Sequence, residues 1–120
     1  MLAEKFIKSS VIYAVLGMAL GIYMAISEDH IQMPAHAHLN LLGWVSMALM
    51  GLIYKQWPVV AAAKLAPVTF WLAHIAVIGL TIGVGLIYAG HVEFAPVAAI
   101  AAVVAIANMI LFATLFYRRA

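Results

Sequence analysis

The sequence contains no cysteine, which excludes disulfides, thiolate metal centres and thiol redox chemistry, so any metal must be held by His, Met or oxygen. Charge is also scarce: Asp, Glu, Lys and Arg make up 8% of the 120 residues, against 68% hydrophobic residues. With a mean hydropathy of +1.15 the chain is far more apolar than a soluble domain, which marks a membrane protein. No linker, low-complexity run or polar domain interrupts it, so residues 1–120 read as one domain.

What the sequence does have is four apolar runs, at about 6–27, 34–54, 65–88 and 94–117. Each is close to the roughly 20 helical residues that cross a bilayer core. The first has features of a secretory leader, with Lys5 and Lys8 ahead of it and Ala25-Ile26-Ser27 at its end. Its apolar run is longer than a leader core, so a membrane helix is expected instead. Short connections predict an all-α membrane protein folded as an up-and-down four-helix bundle.

Lys5, Lys8, Lys55, Lys64, Arg118 and Arg119 all fall on one side of that topology. The positive-inside rule then puts both termini in the cytoplasm. The opposite loops, residues 28–33 and 89–93, carry three of the four acids together with His30 and His91, and face outward. The small positive excess sets orientation and gives no reason to expect nucleic acid as a partner. No acid or base lies near the middle of a run, where Asn40, Ser46, Thr69, His74, Thr81 and Asn108 are the main polar groups. That is a poor match to an ion pore or transporter. Gly79, Gly83 and Gly85 in the third run, with Ala98, Ala99, Ala101, Ala102, Ala105 and Ala107 in the fourth, predict close helix packing.

The histidines concentrate where the second run begins, in HIQMPAHAH, residues 30–38. Pro34 suits the first turn of a helix, which places His36 and His38 near the outer surface. At about 100° per residue these rings point about 200° apart, so they cannot easily clasp one ion but can serve two sites on opposite faces. The plainer reading is a pair of interfacial polar residues that help the helix start. Imidazole is also a common haem and metal ligand, and Asn40, one turn below His36, suits the orientation of such a ligand.

His74 lies roughly 20 Å from the outer end of its helix and His38 about 6 Å from its own, so the two are not expected to share an iron within one subunit. His74 is expected to be a neutral imidazole bonded to a neighbouring helix or lying against a haem edge, with a second ligand site as the alternative. His30 and His91 read as solvated loop residues. The spacing His30-x-x-Met33-x-x-His36 nevertheless suits copper, because imidazole and thioether together favour it over hard cations.

The stretch HAHLNLLGWVSMALMGLIY, residues 36–54, resembles the small membrane proteins related to subunit I of haem-copper oxidases, with His74 in FWLAHIAVIGL as a second point of likeness. That subunit is similar to three four-helix arcs about a pseudo-threefold axis, with haem and copper ligands largely on the second helix of each arc. The resemblance implies a homotrimer in which His36 of one protomer and His38 of its neighbour hold a haem b. It also implies a bacterial-type plasma (inner) membrane, a periplasmic histidine face, and a role in electron transfer or in gas or haem binding. The His-x-x-x-Tyr and His-His pieces of the oxidase copper centre are missing, so oxygen reduction is not implied, and the acidic and lysine channels have no counterpart, so proton pumping is not implied either.

Two other functions remain open on the sequence. One is a copper- or zinc-binding protein for metal delivery, using His30, Met33, His36, His38 and His91. The other is a structural or assembly subunit of an oxidase, with the histidines incidental. A redox partner or oxidase subunits would be the corresponding partners, alongside the lipid bilayer.

Overall fold

Proline marks where helices begin. Pro34, Pro58, Pro67 and Pro96 each occupy the first or second position of a helix, where a missing N–H has no intrahelical partner to lose. The computed structural model describes residues 1–120 and contains four long helices. These are α1, Leu2–Ser27; α2, Met33–Gln56; α3, Ala66–Tyr88; and α4, Ala95–Arg119. A helical turn at Pro58–Ala61 lies between α2 and α3, and a 3-10 turn at Val92–Phe94 precedes α4. All four long helices are long and apolar enough to cross a membrane.

The helices run past the apolar stretches at their charged ends. Glu4, Lys5 and Lys8 already belong to α1, and Arg118 and Arg119 to the last turn of α4. Such residues are good helix formers whose stems lie along apolar surface while the charge stays in water. Glu28 stops α1 by taking a left-handed conformation, φ 57°. The following loop is tied by Asp29 N donating to Ser27 Oγ at 3.2 Å and Ile31 N donating to Asp29 Oδ1 at 3.1 Å.

Neighbours in sequence are neighbours in space: α1 packs on α2, α2 on α3 and α3 on α4, with α1 and α4 at opposite ends of the row. The molecule is flattened, 46 × 28 × 17 Å. Gly79 and Gly83 let α3 approach α4, since a Cβ there would come within 2.8 Å of Ala101 Cβ and 2.9 Å of Ala98 N.

The core sits at the end carrying both termini. Phe6 of α1 lies 5.4 Å from the ring of Tyr54 of α2 and 5.3 Å from that of Phe70 of α3, while Phe112 of α4 lies 5.2 Å from Tyr54. Tilted and edge-on contacts of this kind stabilise beyond the area they bury. Toward the histidine end a groove opens between α2, α3 and α4.

Candidate functional site

Residues Leu39–Ser46 of α2 are π-helical, between α-helical segments Met33–His38 and Met47–Gln56. A π segment widens the helix and resets the phase of everything after it, and such segments are frequent at functional sites. Ser46 Oγ supports this one by donating to Leu41 O, five residues earlier, at 2.8 Å. The segment begins one residue after His38 and contains Asn40.

His38 faces α4. It lines an apolar groove of ≈ 510 Å³ together with Ala37, Leu41, Leu80, Ala102, Ala105 and Ile106, among others. Its Nδ1 lies 2.7 Å from Pro34 O. A carbonyl only accepts, so Nδ1 is the protonated nitrogen and donates. In the neutral ring Nε2 then keeps a lone pair, the tautomer with which backbone-anchored histidines bind metals. No protein group bonds Nε2.

His36 faces α1. A Cβ on Gly21 would stand 3.1 Å from His36 Cε1, so the absence of a side chain there makes room for the imidazole. Asn40 Nδ2 donates to His36 O at 2.9 Å and lies 3.2 and 3.4 Å from its two ring nitrogens. A nitrogen nearly equidistant from both sits over the ring face, where N–H contacts to a π system are weakly favourable. Asn40 thus braces the ring against its own helix. Gly17 makes room for Asn40 itself, because a Cβ there would collide with the amide.

His74 lies apart from both. Its Nδ1 shares a 2.6 Å hydrogen bond with Tyr13 Oη of α1, and its ring packs edge-on against Phe70 at 4.5 Å. The sequence shows His74 without a partner; the structure supplies one across 61 residues of chain. His30 is exposed in the loop between α1 and α2, and Met33 at the start of α2 is 48% exposed. His91 lies in the loop between α3 and α4, with Nδ1 3.4 Å from Glu93 Oε1. The structure brings together no group of three or more His, Cys, Asp or Glu side chains able to hold a metal ion.

Sequence reasoning missed Gly17, Gly21, Tyr13 and the π segment. The first two carry a signal in their Gly-x-x-x-Gly spacing, which favours close helix approach. No protein-family model matches the chain, and no curated protein and no solved structure is significantly similar to it.

Proposed function

We propose that this chain is an integral membrane protein that binds haem b, akin to a single four-helix unit of haem-copper oxidase subunit I. The observation that carries the reading is His38: an imidazole with Nδ1 anchored on the Pro34 carbonyl and Nε2 unbonded, bordering an apolar groove of ≈ 510 Å³. Ligand sites of that size, mostly apolar with one or two placed polar groups, are typical of cofactor binding. Ala37, Ala102 and Ala105 keep the groove wide, and its hydrocarbon lining excludes water.

His38 would ligate the iron from this groove, and His36, directed toward α1, would serve a different one. In a homotrimer His36 of one protomer and His38 of its neighbour would hold each haem. Both termini would lie in the cytoplasm and the histidine end at the outer face of a bacterial-type plasma membrane. Haem b, when bound, supplies a one-electron redox centre if both axial positions are filled, and a site for small gases if one is open.

The test is the visible spectrum of detergent-purified protein from haem-replete cells, oxidised and reduced, for wild type, His36→Ala and His38→Ala. A Soret band in wild type that is lost in the variants supports the reading. A colourless wild type overturns it, and metal analysis then separates copper or zinc binding from a structural or assembly role.

A further inference from the structure

Every lysine and arginine of the chain lies at the end that carries both termini, with Glu4 as the one acid there; Glu28, Asp29 and Glu93 are at the opposite end. At the basic end a cleft of ≈ 400 Å³ opens along α2, lined by Leu49, Leu52, Ile53, Lys55, Gln56 and Trp57. Leu49, Leu52, Ile53 and Gln56 recur at the spacing of one helix face, and both leucines are more than half exposed. In a membrane such a row is covered by hydrocarbon.

The polar groups of the cleft are confined to its mouth. At about 1.5 Å per residue, Lys55, Gln56 and Trp57 stand roughly 10 Å beyond Leu49. The lining therefore passes from hydrocarbon to interface within one half of a bilayer core about 30 Å thick. The chain leaves α2 at Trp57, φ −120° and ψ 77°, and the indole is braced edge-on against Phe116 of α4 with centroids 5.0 Å apart. The Lys55 ammonium and the Trp57 N–H only donate, and Gln56 adds an amide donor. No carboxylate lines the cleft. Lys55 has no ion-pair partner either, since the one ion pair of the chain joins His91 and Glu93 at the opposite end.

From this arrangement we propose that the cleft binds an anionic phospholipid, with its phosphate headgroup on Lys55, Gln56 and Trp57 and the upper part of an acyl chain along Leu49, Leu52 and Ile53. Basic pockets at the ends of membrane helices recognise anionic headgroups in this way. The charge of the mouth makes the choice among lipids. A choline or ethanolamine head would set a second cation beside Lys55 with no carboxylate in the cleft to receive it, whereas phosphatidylglycerol brings none. The cleft and the His38 groove share no residue, so the inference is independent of what that groove holds.

Quenching of Trp57 by lipids brominated on the acyl chain tests it. Trp44→Phe and Trp71→Phe leave Trp57 as the one tryptophan of the three. The protein is placed in phosphatidylcholine bilayers holding a minority of brominated phosphatidylglycerol or of brominated phosphatidylcholine. Brominated phosphatidylglycerol is expected to quench as though enriched about fivefold beside Trp57, the worth of one lysine near an anionic lipid. Lys55→Gln is expected to remove the enrichment, and Lys64→Gln, at the same end but outside the cleft, to keep it. Equal quenching by the two lipids overturns the proposal. So does an enrichment that Lys64→Gln lowers as much as Lys55→Gln, because it would belong to the whole basic surface. Should the double tryptophan variant fail to fold, native mass spectrometry of the unsubstituted protein and of its Lys55→Gln form decides, from bilayers of the two lipids mixed: phosphatidylglycerol retained over phosphatidylcholine and lost with Lys55→Gln supports the site, and no preference overturns it.

Discussion

Gly17 and Gly21 decide how closely α1 approaches the His36 side of α2. At Gly17 any Cβ meets the Asn40 amide, and that amide is what braces His36. Gly17→Ala should therefore dislodge Asn40 and cost about 1–3 kcal/mol, the usual range for overpacking. Reversible unfolding in mixed detergent measures this. Gly85→Ala is the control, because a Cβ there meets nothing nearer than Gln32 Oε1 at 3.4 Å, and it should change stability much less. Tyr13→Phe removes the partner of His74 and should cost about 0.6 kcal/mol, the average for a hydrogen bond between membrane helices. If His74 is structural, the visible spectrum of Tyr13→Phe will match wild type; a shifted spectrum would return His74 to the list of ligands. The divergence of His36 and His38 is legible in the sequence because it needs only the angle per residue. The Tyr13–His74 pair is not, because a tyrosine in an apolar run carries no mark of which helix it will meet.

At the scale of the element, α2 is the helix whose geometry departs from ideal. Its span is legible from length and hydropathy, as are those of the other three, and Pro34 fixes its start. The π segment is not legible: Leu39–Ser46, LNLLGWVS, has no composition that separates it from an ordinary helix. The segment sets the phase between Met47, Met50 and Tyr54, buried on one side of it along the chain, and His36 and His38 on the other. Inserting one alanine between Met47 and Ala48, in the α-helical stretch Met47–Gln56 that follows the segment, would turn His38 by about 100° relative to the Tyr54 core. Helicity by circular dichroism should be unchanged while the haem absorbance falls away. Retention of the full Soret band would show that the phase reset has no bearing on the site.

At the scale of the whole molecule, what the sequence conceals is the asymmetry between the two ends. Phe6, Tyr54, Phe70 and Phe112 close one end, and they come from four helices whose contacts no periodicity announces. The other end is a flattened row in which His36 and His38 face away from each other. Exposed apolar surface does not by itself demand an oligomer, since lipid can cover it. The histidines make the stronger argument, because one chain in this arrangement cannot offer both to a single iron, whereas a ring of chains can. Heterologous contacts that close into a ring repeat the same pairing at every interface. Co-expressing His36→Ala and His38→Ala chains, each unable to bind alone, should therefore restore haem at about one interface in four, where an intact His36 meets an intact His38. The mixed complex should have a protein mass of three times 12.9 kDa. If each haem were held within one protomer, mixing would restore nothing. A complex of the expected mass that stays colourless would then leave the ring standing and refute the shared ligation.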